Sequence, residues 1–203
     1  ESPFPQADVV TCTTTKTLRG PRGGVILSHD NRLAKKLNAA VFPGVQGSLH
    51  SQVIAAKAVC FREALEPEFC RYAEQVVANA RALAKGLARR GYKIWTEGTD
   101  THLVLMDVAS RGLTGGQAQL HLEELGITSN KNPTPVDPAT PDRWTGIRLG
   151  TSAGTTRGFD TITFEKIAAL IADLLDDPET LTVRRKVKRQ VGAICREFPV
   201  YQS

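Results

Sequence analysis

The sequence has little material for metal or disulfide chemistry. Its 203 residues include four cysteines and four histidines, with no C-x-x-C pair and no histidines at the spacing of metal ligands. Zinc sites and disulfide frameworks require such clusters, so we expect no metal site. The simplest expectation is free, buried thiols in a reducing cytoplasm; the cysteines are Cys12, Cys60, Cys70 and Cys195.

Long apolar runs are also absent. No stretch approaches the ~20 residues of a membrane-spanning helix, and the first residues lack the basic-then-apolar pattern of a secretory signal. Hydrophobic residues make up 41% of the chain and charged residues 23%. This composition is typical of a soluble globular protein, so we expect no membrane partner.

The positive charge is concentrated near the C-terminus. Lys and Arg number 26 against 21 Asp and Glu, a formal net charge of +5. Part of the excess is one run: Arg184, Arg185, Lys186, Lys188 and Arg189. Because no aromatic residues are interleaved with it, the run predicts a solvated helix face and no nucleic-acid partner.

One lysine lies in a distinctive loop. Residues 13–24 read TTTKTLRGPRGG, between predicted strands at 7–10 and 25–27. A lysine condenses with aldehydes once it is deprotonated, a state favoured by burial or by neighbouring positive charge such as Arg19 and Arg22. On these residues alone, a solvated turn lysine is the favoured interpretation of Lys16.

Two further segments have candidate binding residues. Residues 41–47 form a Gly-containing loop that we expect to enter a helix at residues 48–50. Backbone N–H groups at a helix start can bind an anion such as phosphate, but the residues alone favour a simple turn. Arg148 lies in the predicted strand GIRLGT (146–151), and we expect it to be partly buried against an anion. That anion is either a structural carboxylate or a substrate carboxylate.

The remaining pattern is helical with a few strands. Val76, Ala80, Leu83 and Leu87 follow Tyr72 as one apolar stripe. Two C-terminal helices have apolar faces, one from Ile167 to Leu175 and the other from Val187 to Phe198. We predict the segment 130–142 to be loop because it is rich in Pro and Asn. Predicted helices span 31–40, 49–64, 68–90 and 113–125, with Asp30 and Thr114 as N-caps; further strands span 92–95 and 102–108.

The lysine loop closely resembles the pyridoxal-phosphate motif of serine hydroxymethyltransferases. The threonine run, the lysine and the Gly-Pro-Arg-Gly-Gly turn are all present. The resemblance covers essentially the whole chain and implies an α/β fold, that of aspartate-aminotransferase-like (fold type I) enzymes. Residues 1–66 would be the end of the large pyridoxal-phosphate-binding domain, and 67–203 the small C-terminal α+β domain.

The resemblance also implies residue roles. Lys16 would bond the cofactor and Thr13 would hydrogen-bond the cofactor or substrate, while Arg22 would order the loop. Gly47 and Ser48 would reach the cofactor phosphate of a neighbouring subunit, although the family has glycine where this chain has Ser48. Arg148 would bind the substrate carboxylate, and Asn132 would line the folate site.

Two departures from the family pattern shape the expected function. The family's aspartate for the pyridine nitrogen and its ring-stacking histidine precede the lysine by about thirty positions or more, so we expect a separate chain to supply that N-terminal half. The family histidine before the lysine is Thr15 here. Loss of a proton-transfer residue is worth about 10²–10⁴ in rate, which favours a changed reaction over a tolerated defect.

The expected function is therefore the C-terminal half of a split serine hydroxymethyltransferase-like enzyme. It would form a homo- or hetero-oligomer and act on the Cα–Cβ bond of a small amino acid, with pyridoxal 5′-phosphate as cofactor and tetrahydrofolate as a further candidate. A folate-independent aldolase or transaldolase, an α-methylserine-type hydroxymethyltransferase and a catalytically silent dimerising subunit are the alternatives.

Overall fold

The computed structural model describes residues 2–201 and divides the chain into two compact units, residues 1–70 and 71–203. The predicted boundary between residues 66 and 67 concerns the large and small domains of the family's enzymes, and it stays a prediction. No helix among the described residues is long and apolar enough to cross a membrane.

The first unit begins with a β-hairpin. Strands β1 (Val10–Thr13) and β2 (Gly24–Leu27) are antiparallel, with Val10 opposite Leu27 and Thr13 opposite Gly24. The prediction of a strand at 7–10 was wrong, because the partner strand extends only as far as Leu27 and pairs with residues 10–13. This register places the lysine loop at the closed end of the hairpin.

Two helices and an irregular turn follow the hairpin. Helix α1 (Asn31–Ala39) begins as predicted at Asp30, whose Oδ1 accepts hydrogen bonds from the N–H groups of Arg32 and Leu33 at 2.7 and 3.3 Å. A π-type turn (Ala40–Val45) leads to helix α2 (Ser51–Ala64). The predicted start of this helix near residue 49 was wrong by two residues, since His50 still has extended backbone (ψ 90°).

The first unit buries few of its own apolar side chains. Among its described residues, Cys60 and Thr14 are the buried ones. Nine large hydrophobic side chains of the unit are exposed: Ile26, Leu27, Phe42, Val45, Leu49, Ile54, Val59, Phe61 and Leu65. Hydrogen bonds and close backbone contacts therefore define the lysine loop more than a hydrophobic core does.

Helix α3 (Pro67–Arg89) supplies one wall of the second unit's core. The predicted stripe is confirmed at Val76, Ala80, Leu83 and Leu87, which are all buried. Tyr72 is only partly buried, and its hydroxyl donates to the carbonyl of Ser152 at 3.3 Å. The helix ends before Gly91, whose φ of +81° fits the left-handed turn that glycine favours.

The second unit contains a four-stranded antiparallel sheet. Its strand order is β3 (Lys93–Ile94), β4 (Leu103–Asp107), β6 (Gly146–Gly150), β5 (Asn130–Asn132). The predicted strand at 92–95 is shorter because a 3₁₀ turn begins at Trp95. The prediction of loop throughout 130–142 was wrong at β5, because strand pairing uses backbone groups that polar side chains leave free.

Helices pack against the sheet to form one core. They are α4 (Gly115–Glu124), α5 (Ser152–Thr156), α6 (Thr161–Asp176) and α7 (Leu181–Glu197). Thr114 caps α4 as predicted, in a capping box with Gln117. The predicted apolar faces of the last two helices are confirmed: Leu170, Ile171, Leu174, Leu175 and Val187 are buried, and Ile167, Val191, Ile194 and Phe198 pack around them.

The predicted exposure of the basic run is largely confirmed, but the predicted burial of the cysteines is not. Four members of the basic run are exposed, as predicted, and Arg184 is half-buried because it donates to the carbonyl of Pro178 and pairs with Glu124. The prediction of buried thiols was wrong for three of the four cysteines. Only Cys60 is buried; Cys12, Cys70 and Cys195 are exposed because their strand or helix faces have no covering layer.

Candidate functional site

The lysine loop is closed across its middle by Thr14. This residue is fully buried, and its hydroxyl donates to the carbonyl of Pro21 at 2.6 Å. Its N–H donates to the carbonyl of Gly23 at 3.0 Å, and its own carbonyl accepts from the N–H of Gly20 at 2.8 Å. Three hydrogen bonds of Thr14 therefore fix the backbone just before Thr15 and Lys16.

The Lys16 side chain is exposed, and its amine makes no hydrogen bond or ion pair within residues 2–201. The backbone around it is nevertheless defined: Arg19, in the left-handed region with φ 60°, donates its N–H to the Lys16 carbonyl at 2.8 Å. A free amine on a fixed loop is available to an electrophile such as an aldehyde.

Two threonine hydroxyls lie beside the lysine. Thr13 Oγ1 and Thr15 Oγ1 are 2.8 Å apart, and Thr13 Oγ1 also accepts from the N–H of Thr15 at 3.3 Å. Thr13 is exposed and lines an open cleft of about 1160 Å³ between the hairpin, α1 and the π-type turn. Each hydroxyl has further capacity for a phosphate, a cofactor edge or a substrate.

The other predicted residues of this unit are exposed. Arg22 makes no ion pair with any residue in the described part of the chain. Gly47 and Ser48 lie in the irregular segment before α2, and a Cβ on Gly47 would meet nothing within 4 Å. Because α2 begins at Ser51, Ser48 does not lie at a helix N-terminus as predicted.

Sequence reasoning missed two residues of α2 that contact the loop. Lys57 Nζ donates to the carbonyl of Gly24 at 2.9 Å. One turn later, the buried Cys60 thiol donates to the carbonyl of Leu18 at 3.1 Å. Burial raises the pKa of the Cys60 thiol, as does the charge of Glu63, so the sulfur keeps the proton that it donates. Their spacing of three residues on one helix was the available signal.

Arg148 and Asn132 lie in the second unit, on adjacent strands. In β6, Ile147 and Leu149 face the core while Arg148 is exposed opposite Leu105 and Asn130. The expectation of a partly buried arginine was wrong, because side chains alternate between the two faces of a strand. Its guanidinium makes no ion pair with any described residue, so no structural carboxylate occupies it.

The structure therefore groups the predicted residues in two sets. Thr13, Lys16 and Arg22 share the hairpin loop and its flanking strand, in the first unit. Asn132, which is half-buried, lies opposite Gly146 and on the same sheet face as Arg148 in the second unit. Within residues 2–201 no cluster of three or more His, Cys, Asp or Glu side chains could hold a metal ion.

Comparison with known proteins identifies the same family as the lysine-loop motif. Residues 1–171 match the serine hydroxymethyltransferase family. The chain is 55% identical to 2-methylserine hydroxymethyltransferases of an Ensifer species and a Paracoccus species, and 52% identical to the serine hydroxymethyltransferase of Paramagnetospirillum magneticum.

The alignments with these three relatives cover 98–99% of the chain and 48% of each relative, so the chain spans about half the length of the curated relatives it matches. Enzymes of this family have the type I pyridoxal-phosphate fold, with which the mixed α/β architecture is consistent. The chain belongs to the serine hydroxymethyltransferase family and corresponds to its C-terminal half.

Proposed function

We propose that the chain is the lysine-bearing part of a pyridoxal-phosphate-dependent hydroxymethyltransferase in the cytoplasm. It makes or breaks the Cα–Cβ bond of a small amino acid of the serine/glycine type, with tetrahydrofolate as the one-carbon acceptor. The observation that carries this proposal is the unpartnered amine of Lys16 on a backbone fixed by Thr14, inside the family motif. When bound, pyridoxal phosphate supplies an electron sink for negative charge at the α-carbon.

The residues of the lysine loop fit this cofactor. Lys16 offers a free amine to the aldehyde, and Thr13 offers a hydroxyl with spare hydrogen-bonding capacity. Arg22 supplies positive charge that orders the loop and its phosphate neighbourhood. Gly47 and Ser48 lie in an exposed, irregular segment that is free to reach the phosphate group of a neighbouring subunit.

The second unit supplies substrate-binding residues in this proposal. Arg148 has a guanidinium with no partner among the described residues, and its planar N–H groups match a carboxylate. Asn132, on the same face of the sheet, contributes amide groups toward the folate. A separate polypeptide carrying the N-terminal half supplies the group at the pyridine nitrogen and the residue stacked on the ring.

Reconstitution tests the proposal. The chain is mixed with the N-terminal half of a family member and pyridoxal phosphate, and the visible absorbance of the lysine-bound cofactor is measured. The wild-type chain is expected to show the band, Lys16→Ala to lose it, and Lys35→Ala, a matched change at an exposed lysine of α1, to keep it. A band that survives Lys16→Ala contradicts the assignment of the lysine.

The folate arm needs a separate assay. Formaldehyde transfer from serine is measured with and without tetrahydrofolate in the reconstituted pair. A rate that requires folate supports the hydroxymethyltransferase assignment, and a rate indifferent to folate indicates the aldolase or transaldolase alternative. A pair that binds no cofactor indicates a catalytically silent dimerising subunit.

A specific observation favours 2-methylserine as a second candidate substrate. Both 55%-identical relatives named above have that substrate in their names, and Thr15 stands where the family has histidine. Threonine occupies less volume than histidine, and its hydroxyl is held by Thr13 at 2.8 Å, which favours a substrate with an extra α-methyl group. In the reconstituted enzyme, Thr15→His is expected to lower the 2-methylserine-to-serine ratio of kcat/KM about tenfold or more. An unchanged ratio contradicts this candidate.

A further inference from the structure

Helix α2 contacts the lysine loop at two separate places. Lys57 reaches the Gly23–Gly24 side, where its Nζ donates to the carbonyl of Gly24 at 2.9 Å. Cys60 reaches the Leu18–Gly20 side, where its thiol donates to the carbonyl of Leu18 at 3.1 Å. Residues three apart lie on one face of a helix, so a single helical turn holds both sides of the loop.

A glycine lies at each of these two contacts. A Cβ on Gly23 would lie 2.7 Å from Lys57 Cε and 2.9 Å from its Nζ. A Cβ on Gly20 would lie 2.7 Å from Cys60 Sγ and 2.9 Å from the carbonyl oxygen of Thr14. A Cβ on Gly23 would have to displace only the flexible end of Lys57, whereas a Cβ on Gly20 would meet backbone and the short Cys60 side chain. The close approach of the loop to α2 therefore requires glycine at position 20.

Both contacts bear on hydrogen bonds of Thr14. The Gly23 carbonyl, adjacent to the group that Lys57 holds, accepts from the Thr14 N–H at 3.0 Å. Gly20, which packs on Cys60, donates its N–H to the Thr14 carbonyl at 2.8 Å. Displacing either side of the loop therefore loosens the residue that fixes the backbone two positions before Lys16.

We propose that Lys57 and Cys60 are positioning residues, through which α2 holds the loop that presents Lys16. Lys57 is not a second cofactor amine, because its Nζ is already bonded to a backbone carbonyl of the loop. Cys60 acts as a hydrogen-bond donor and a packing surface, not as a nucleophile. The relevance of this arrangement to catalysis rests on the proposed function; the arrangement itself is testable without it.

Amide hydrogen exchange of the chain, without cofactor, tests the inference. Lys57→Met keeps the side-chain stem and removes the amine. We expect exchange of the Thr14 and Gly20 amides to accelerate about tenfold or more, because a hydrogen bond from a charged donor is lost. The Ala34 amide, which is bonded within α1 of the same unit to the Asp30 carbonyl, should keep its rate. Lys35→Met is the matched control and should change none of them.

The cysteine supplies a rescue experiment. Cys60→Ala should accelerate exchange of Gly20 about tenfold, whereas Cys60→Ser, which keeps a donor, should stay within about threefold of wild type. Wild-type exchange in both Lys57→Met and Cys60→Ala overturns the proposal. Equal acceleration of Ala34 also overturns it, since the residues would then stabilise the whole unit and not the loop.

The same measurements separate this inference from the proposed function. If Lys57→Met loosens the loop but the wild-type pair never takes up pyridoxal phosphate, the positioning role stands and the proposed function fails. If the wild-type pair takes up the cofactor while exchange is unaffected by Lys57→Met and Cys60→Ala, the proposed function stands and the positioning role fails.

Discussion

At the scale of single residues, the exposure of Arg148 follows from the pleat of β6. Its neighbours Ile147 and Leu149 point into the core, and alternation directs the arginine to the opposite face. An arginine on a regular strand between two buried residues has a backbone that cannot shift without disturbing the core. The guanidinium is therefore held on a rigid element while it stays accessible to a ligand.

Arg148→Gln is expected to weaken substrate binding without affecting folding. In the reconstituted enzyme, loss of a charge-assisted carboxylate contact of about 1.5–3 kcal/mol should raise KM for the amino acid roughly 10- to 150-fold. The free energy of unfolding should change by less than about 0.5 kcal/mol, as is usual for exposed positions. Steady-state kinetics and urea unfolding provide the two measurements.

Arg143→Gln supplies the control for this prediction. Arg143 is an exposed arginine in the same unit, and its side chain makes no hydrogen bond or ion pair with any described residue. The Arg143→Gln variant should keep the wild-type KM for the amino acid and the wild-type free energy of unfolding. A wild-type KM in Arg148→Gln, or an equal rise in Arg143→Gln, contradicts the carboxylate-binding role.

At the scale of elements, helices α3 and α6 approach closely at one glycine. A Cβ on Gly86 would lie only 2.6 Å from the Cβ of Ala168. Gly192 of α7 differs, because a Cβ there would meet only the end of the Arg196 side chain at 3.5 Å. Substitution by alanine therefore tests helix propensity at Gly192 and helix packing at Gly86.

We expect opposite effects of alanine at these two glycines. Gly192→Ala should raise the free energy of unfolding by up to about 1 kcal/mol, since alanine is the better helix former. Gly86→Ala gains the same propensity but forces α3 and α6 apart, at a cost of about 1–3 kcal/mol from overpacking. Urea unfolding of both variants measures the difference. A stabilising Gly86→Ala would show that the helices separate at no cost.

Asp173 connects three helices of the second unit. Its carboxylate accepts from Lys186 of α7 at 2.8 Å and pairs with Arg90 at the end of α3. Burial tends to raise the pKa of Asp173, but hydrogen bonds from Lys186 and Arg90 hold it below its ordinary value. Its contribution to stability is therefore present above the unfolded-state pKa of about 3.9 and is lost as the pH falls through the lower, folded-state pKa.

Asp173→Asn should accordingly cost stability only when the carboxylate is ionised. The free energy of unfolding at pH 7 should fall by about 1 kcal/mol, a modest value because both cations are substantially exposed. The difference from wild type should vanish on acidification below the folded-state pKa. Asp177→Asn, at an exposed carboxylate whose side chain has no ion pair among the described residues, is the control. A difference that persists in acid contradicts the electrostatic origin.

The sequence predicted elements better than contacts between distant segments. Helices α3, α6 and α7 were predictable because their apolar residues repeat over four or more turns. Strand β5 was not, because it depends on pairing with β6, about fifteen residues further along the chain. Lys16 was found through its motif, whereas Lys57 depends on a tertiary approach across 33 residues.

At the scale of the whole molecule, burial is unevenly distributed. Apart from Cys60, all buried hydrophobic side chains among residues 2–201 belong to the second unit. The first unit contributes nine large exposed hydrophobic residues. Since hydrophobic burial is the main source of stability, resistance to unfolding should be concentrated in residues 71–203.

Limited proteolysis should reveal this asymmetry. Trypsin is expected to cleave first within residues 2–70, for example at the exposed Lys35 and Lys36 of α1, and to leave a slower-degrading product that contains most of 71–203. Mass spectrometry of the products over time is the measurement. Addition of the N-terminal half of a family member should slow the early cleavages, because a partner that binds only the folded state stabilises it. Early cleavage within the core of α6 would contradict the prediction.

Side chains of the threonine run at 13–15 alternate in direction, and their roles alternate with them. Thr14 points inward and is saturated with hydrogen bonds, while Thr13 is exposed and Thr15 is half-buried, their two hydroxyls paired with each other. In a library with these three codons randomised, selection for folding alone should therefore keep threonine at position 14. Positions 13 and 15 should vary freely under that selection and become restricted only when activity is selected. Three consecutive threonines thus have two different roles: the middle one holds the loop backbone, and the outer two provide hydroxyls that can be changed without loss of the fold.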